Sequence, residues 1–414
     1  MSNSVYDVVV VGAGPSGMMA AGHAAMRGKR VLLVDKNKVA GKKLSITGGG
    51  RCNILNAEPD TKKLLEHYGD AAKFLHSPFS QHSMQDSWDF FESRGLKLVV
   101  EARQRAFPAS QRAEDVTAFM KRFVNEQHVE MRLGTRMTGF ITKAGQLVGI
   151  ATNKGDVLAQ SIVMATGGQA RSETGSTGEG FEYLKALGHS VHAPNPDIVP
   201  LTVSEQWVKD LSGTTLSFMK ITFCPEDKAK RFAKTGKILF THFGLSGPLI
   251  LNSAREVKRL LKSGPVAAEI DMFPDTDIPT VRNRVLEVFN ANKNKQLKNI
   301  IKDIAPAGMS EAVLAHVAPD LHDEKVHSVP KEARQALADL LKAMPLTVTG
   351  TLGYEKAVIS DGGVDLSEVN TKTMASKLYP NLFLTGDVLH INRPSGGYSL
   401  QLCWTTGFVA GTNA

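Results

Sequence analysis

The sequence predicts an α/β chain: a parallel-sheet nucleotide domain interrupted by an inserted domain, β-rich at first and helical after. Strand, helix and strand follow one another over residues 5–35, the βαβ unit of a parallel sheet. Strand, glycine turn and helix return in the last seventy or so residues. Between them the texture changes at about Pro194, to strand-like stretches as far as about Asp271, then to polar helical stretches from about Pro279 to Lys342. The expected division is a discontinuous nucleotide domain, 1–193 with 344–414, around an insertion at 194–343 (β-rich 194–275, helical 276–343).

Val5–Val11 is a short run of β-branched apolar residues, as in a strand buried on both faces. Pro15–Arg27 is rich in Ala and Met and reads as a helix, and Lys29–Asp35 as the next strand. Helices are expected near Met84–Ser93 and Ala113–Asn125. Met131–Val163 reads as a β-meander turning at Ala144-Gly145 and Lys154-Gly155. The apolar strand Ser161–Met164 runs into Ala165-Thr166-Gly167-Gly168. Asn381–Thr385 runs likewise into Gly386-Asp387, and Ser395-Gly396-Gly397 leads into a final helix.

With 414 residues the chain can bury a sizeable core. No apolar run is long enough to span a membrane, and Met1–Ser4 leads into a strand without signal-peptide features. The cysteines Cys52, Cys224 and Cys403 are scattered and odd in number, which argues against a disulfide framework or a metal site and fits a cytoplasmic protein. The formal charge of +8 permits an anionic partner without demanding one; Lys220–Lys237 and Lys293–Lys302 are the local basic enrichments.

Gly12-Ala13-Gly14-Pro15-Ser16-Gly17 fits G-x-G-x-x-G at the junction of the first strand and helix. Gly12 permits the tight turn, Gly14 lets a diphosphate approach the backbone, and Gly17 lets helix and strand pack closely. The helix start offers unpaired N–H groups and a positive dipole end. Asp35, ending the second strand, is placed to accept from an adenosine ribose, with Lys36 beside it. An acid there favours FAD or NAD over NADP as the bound dinucleotide.

Three later segments favour a flavin. Lys42 and Lys43 lead to Thr47-Gly48-Gly49-Gly50-Arg51-Cys52-Asn53, a second glycine-rich loop whose main chain could lie against a flat ring. Ala165-Thr166-Gly167, with Arg136 and Met137 earlier in the meander, gives a second backbone approach. Gly386-Asp387 could bond a ribityl chain, and the helix opened by Gly396-Gly397-Tyr398 could face the N1–O2 edge of the ring.

On these motifs the chain resembles the BaiN-like, or aminoacetone-oxidase-like, family of bacterial FAD-dependent oxidoreductases, essentially end to end. The specific pieces are Gly48–Asn53, Thr241–Leu251, Lys372–Lys377, Asn381–Asp387 and Ser395–Gln401. Gly175–Tyr183 is also similar to a stretch of the fumarate-reductase-like flavoproteins. The resemblance implies a Rossmann-like FAD-binding domain, glutathione-reductase-like and of fumarate-reductase type, interrupted by a substrate-side insertion. Where the family carries an acidic stretch before the glycine turn, this chain has His390, Asn392 and Arg393. That changes the polarity expected near the ring.

The flavin would carry the electrons, leaving orientation, charge and one proton to the protein. Candidate catalytic groups are His242, Arg393, Tyr398 and Cys52, with Arg51 and Arg105 as further anion binders. No second G-x-G-x-x-G follows, so NADH or NADPH is expected only as a transient donor. The expected partner is a small unsaturated or amine-bearing molecule. Competing expectations are structured RNA, through reduction of a ribosomal uridine, a flavin-binding protein without turnover, and an NAD-only dehydrogenase.

Overall fold

The computed structural model describes residues 5–317 and 320–414. It divides into two compact units. One runs to Asp197 and resumes over Tyr354–Ala414; the other is Ile198–Gly353. Both limits fall later in the chain than 193 and 344, for reasons of strand pairing. Val191–Asp197 pairs antiparallel with Ile359–Val364 inside the first unit. Met344–Thr351, whose apolar alternation suits either sheet, pairs with Val266–Asp271 and Leu201–Val203 in the second.

In the first unit Tyr6–Val11 lies between two parallel neighbours, Val31–Asp35 and Val157–Met164. Glu130–Leu133 extends the sheet beyond Val31–Asp35, and Leu382–Leu384 beyond Val157–Met164, both parallel. Val8, Val9 and Val10 are fully buried, as a strand covered on both faces requires; each contributes roughly 1.5–3 kcal/mol. The stretch expected as a meander from Met131 splits. Glu130–Leu133 joins the parallel sheet, and the antiparallel part is Met137–Lys143, Gln146–Thr152 and the start of Val157–Met164. Ala144 and Gly145 are both left-handed at its first turn (φ 51° and 77°), the geometry that matches the twist of a tight hairpin.

The helices Pro15–Met26 and Tyr398–Asn413 pack against each other in this unit. A Cβ on Gly411 would stand 2.2 Å from the carbonyl oxygen of Ala20, and one on Gly407 2.5 Å from that of Ser16. Only hydrogen at those positions lets the two backbones approach this closely.

The second unit is a closed antiparallel barrel with helices. Its strands run in the order Leu201–Val203, Gly244–Ser246, Phe232–Thr241, Thr215–Cys224, Val266–Asp271 and Met344–Thr351, which returns to the first. Ile221, Phe223, Ile238, Phe240, Ile270 and Val348 are fully buried in it. Its helices include Pro248–Leu260, Ile278–Ala291, Ser310–Val317 and Lys331–Lys342. Among the described residues no helix is long and apolar enough to cross a membrane.

Candidate functional site

The glycine loop at the end of Tyr6–Val11 holds three glycines in three different situations. Gly12 is left-handed (φ 108°), and a Cβ there would lie 2.4 Å from the Ala165 carbonyl oxygen. A Cβ on Gly17 would lie 1.8 Å from the Gly12 carbonyl oxygen. The fold itself demands both. Gly14 has ordinary extended angles (φ −83°, ψ −175°), and a Cβ there would meet nothing within 4 Å. It caps the helix Pro15–Met26 without a side-chain acceptor, and Pro15 takes a first-turn position where no N–H is needed. The chain therefore keeps open, at a helix N-terminus, the space that a diphosphate group requires.

Asp35 stabilises this loop from the next strand. Its Oδ2 accepts from the Ala13 N–H at 2.7 Å, and its Oδ1 from the Asn37 N–H at 2.7 Å and Nδ2 at 3.0 Å. Carboxylate oxygens have further lone pairs, so this pinning leaves capacity for a sugar hydroxyl. Ala165 donates its N–H to the Val11 carbonyl at 2.9 Å, which brings Ala165-Thr166-Gly167 alongside Gly12.

Most cations assigned to the cofactor are tied to protein groups. Lys36 donates to Thr177 Oγ1 at 2.6 Å and pairs with Glu179 at 3.2 Å, and Arg136 pairs with the same carboxylate. Lys42 donates to the Glu173 carbonyl at 2.6 Å. Arg51 turns onto Gln111 (2.8 Å), Glu101 and the face of Phe107 (4.4 Å). The Met137 carbonyl accepts from the Tyr183 hydroxyl at 2.8 Å. Lys43 differs: its ammonium makes no hydrogen bond or ion pair among the described residues. Burial lowers its pKa, Asp387 opposing.

Gly48, Gly49 and Gly50 are successive left-handed residues, a run that side chains would resist, and Cys52 adds another at φ 59°. Thr47 Oγ1 donates to the Lys43 carbonyl at 3.0 Å. With its amide oriented to satisfy its neighbours, Asn53 donates to the Ala106 and Leu55 carbonyls and accepts from the Gly397 N–H at 2.9 Å. The second glycine loop thereby holds the start of the final helix.

That start forms a second pole. Gly386 donates its N–H to Thr406 Oγ1 at 3.0 Å. Asp387 pairs with Arg393, whose guanidinium also donates to Ser399 Oγ (3.0 Å) and to the Ile391 carbonyl (2.7 Å). Burial alone would raise the Asp387 carboxyl; Arg393 and then Lys43 more than offset it and hold it below the usual value. Asn56 fixes the Gly396 carbonyl at 3.0 Å, and the Tyr68 hydroxyl fixes that of Tyr398 at 2.8 Å.

The expected catalytic groups differ in burial and in the partners they hold. Cys52 is fully buried, and burial pushes its thiol up to about 12. Tyr398 is pushed to about 12 by burial, Glu58 adding to it. Both therefore stay protonated near neutral pH. Arg393 is 3% exposed with its donors engaged, which makes it the holder of Asp387. His242 lies exposed in the second unit, on the turn between Phe232–Thr241 and Gly244–Ser246, its ring 4.9 Å from that of Phe243.

One constellation was invisible in the sequence. Ser376 Oγ accepts from the Leu378 and Tyr379 N–H groups (3.0 and 3.1 Å), so its hydrogen goes to His189 Nε2 at 3.0 Å. His189 Nδ1 then donates to Glu368 Oε2 at 2.7 Å. The order resembles a nucleophile triad, but the His189 side chain is wholly buried and the serine oxygen is saturated. It braces the segment just before Leu382–Leu384. Lys372–Lys377 flagged Ser376, whereas His189 lies far off in the chain.

The HI0933-like protein Rossmann domain family matches residues 6–413. The ribosomal RNA dihydrouridine synthase of Escherichia coli K12 is 26% identical over 408 residues, 98% of this chain and 96% of that protein. The 3-dehydro-bile acid delta(4,6)-reductase of Clostridium scindens is 26% identical over 417 residues, 98% of each. Among solved structures, the 3-ketosteroid delta1-dehydrogenase of Sterolibacterium denitrificans superposes with a TM-score of 0.57 at 13% identity, covering 99% of both chains, which speaks for the fold alone. With a flavoprotein fold and a family match over nearly every residue, the chain belongs to the HI0933-like family of FAD-dependent oxidoreductases.

Proposed function

We propose that the protein holds FAD along its first unit and reduces a carbon–carbon double bond conjugated to a carbonyl, with NADH or NADPH as transient electron donor. The observation that carries the cofactor part is Gly14: open space at a helix N-terminus, where nothing in the protein's own packing calls for glycine. FAD would supply the two-electron chemistry.

The chain's own residues do the rest. Gly12–Gly17 and the start of Pro15–Met26 cradle the diphosphate, and Asp35 takes the adenosine ribose while keeping Ala13 in place. The backbone of Ala165–Gly167 and of Arg136–Met137 lines the approach. Lys43 supplies the uncommitted cation. Asp387, kept ionised by Arg393, accepts from the ribityl chain. The Gly396-Gly397-Tyr398 helix start favours negative charge beside the ring.

The substrate class is drawn from the two full-length relatives. Both names describe saturation of a double bond conjugated to a carbonyl, in a 3-keto steroid skeleton or in the uracil ring. A uridine in ribosomal RNA is the second substrate, favoured by the formal charge of +8. Purified protein should be yellow and release FAD on denaturation. Anaerobic NADH or NADPH should bleach it, and a panel of conjugated enones should restore the colour. A flavin that no donor bleaches would refute turnover. Loss of dihydrouridine from the ribosomal RNA of gene-deleted cells would select the RNA substrate.

A further inference from the structure

The barrel of the second unit carries an exposed aromatic residue that its fold does not explain. Phe218 lies within Thr215–Cys224, where the register with Phe232–Thr241 slips between Leu216 and Met219. It is left-handed (φ 61°) and 72% exposed. A non-glycine residue in that conformation costs stability, and so does a phenyl ring in water. No ring or cation contact compensates among the described residues. Leu216 and Met219 on either side are buried, so the bulge turns Phe218 outward without serving the core.

The surroundings are cationic. Leu216 faces Ile238 and Met219 faces Gly236, which leaves Lys237 opposite the bulge. Lys220 follows two residues on. Neither lysine forms an ion pair or hydrogen bond among the described residues, whereas Arg231, in the connection between the two strands, is paired with Glu269. Ser217 and Thr235 add exposed hydroxyls. The hairpin Thr215–Thr241 holds six Lys and Arg against two acids. In the closed barrel each of the two strands also pairs on its other side over part of its length, at Lys220–Cys224 and at Leu239–Thr241.

We infer that Phe218, with Lys220 and Lys237, is a docking platform for single-stranded RNA: a base stacks on the ring while the two ammonium groups meet flanking phosphates. Flat aromatic platforms flanked by cations on β-surfaces suit unpaired bases, because every base has a face to stack and every step a phosphate. The inference goes beyond the proposed reduction. It concerns a surface on the second unit and holds whichever conjugated carbonyl is reduced.

The test is fluorescence anisotropy of a short fluorescein-labelled oligouridylate titrated with the FAD-loaded protein over a range of salt. Phe218→Ala should weaken binding roughly 5- to 150-fold, and Phe218→Trp should retain it. Lys220→Gln with Lys237→Gln should weaken binding and flatten the log–log salt slope by about 1.4. Phe218→Gly relieves the left-handed strain, so it should bind as poorly as Phe218→Ala yet melt no lower than the native protein. FAD content and bleaching by NADPH, read on the same samples, should not change, which separates this surface from the reaction. Native protein that fails to bind the oligouridylate would overturn the inference. So would Phe218→Ala binding as tightly as native, or equal Phe218-independent binding to heparin.

Discussion

Two glycines three residues apart make opposite predictions when each is given a side chain. At Gly14 a side chain enters open space with ordinary backbone angles, so Gly14→Val leaves the cofactor-free protein within about 0.5 kcal/mol of native stability. The same side chain would occupy the diphosphate position. Displacing that group from the helix N-terminus forfeits at least two charge-assisted hydrogen bonds at about 1.5–3 kcal/mol each, so FAD should bind roughly 10²- to 10⁴-fold more weakly. At Gly17 the new Cβ would stand 1.8 Å from the Gly12 carbonyl oxygen, a backbone atom that cannot rotate away. Gly17→Ala should therefore cost about 1–3 kcal/mol or more of folding stability before any cofactor is added. Urea unfolding of the cofactor-free proteins measures the first quantity, and FAD titration followed by flavin fluorescence the second. Native FAD affinity in Gly14→Val, or equal loss of stability in both variants, would remove the diphosphate from this loop.

Three further outcomes follow from buried charge. His23 and His82 pack on Phe408 (4.7 and 4.4 Å between rings), and burial lowers them to about 3 and about 4. Unfolded, both titrate near 6.5, so the unfolded chain binds more protons below that pH. Stability is then complete above about 6.5 and falls by about 1.4 kcal/mol per pH unit for each histidine as pH drops toward the folded values. Denaturation midpoints at several pH values should show this, and His23→Phe should make the fall shallower; an unchanged slope contradicts it. Arg393→Leu leaves the Asp387 carboxylate buried without its partner and should cost about 3–5 kcal/mol, partly regained by adding Asp387→Asn, as thermal melts would read. Lys43→Met removes an ammonium that makes no hydrogen bond or ion pair among the described residues and only assists Arg393 at Asp387, so the melting temperature should fall less than in Arg393→Leu while FAD binding weakens about tenfold and depends less on salt.

What the sequence disclosed was local. Gly12–Gly17, the flanking apolar strands and Asp35 lie within one βαβ unit, where spacing alone brings them together. Polar partnerships across the chain were hidden. Lys36 and Arg136 were expected at the cofactor, but Glu179, more than 40 residues from either, engages both. Arg51 sat in a promising loop, yet Glu101 and Gln111 draw it aside. Strandedness after Pro194 was readable. Closure of the barrel was not, because Met344–Thr351 arrives only after the helical stretch. The left-handed aromatic at Phe218 has no composition signal at all, since a bulge is a property of register.

The discontinuity of the first unit also sets an order in time. Its sheet gains Leu382–Leu384, and its first helix gains the cover of Tyr398–Asn413, only when those residues have been synthesised. Roughly two hundred residues separate them from Val157–Met164, which at bacterial elongation rates is roughly 10–40 s. During that interval all six barrel strands, within residues 201–351, leave the ribosome and can close first. The guest domain matures before its host. Until Leu382–Leu384 arrives, the parallel edge of Val157–Met164 stands open to a neighbouring nascent chain.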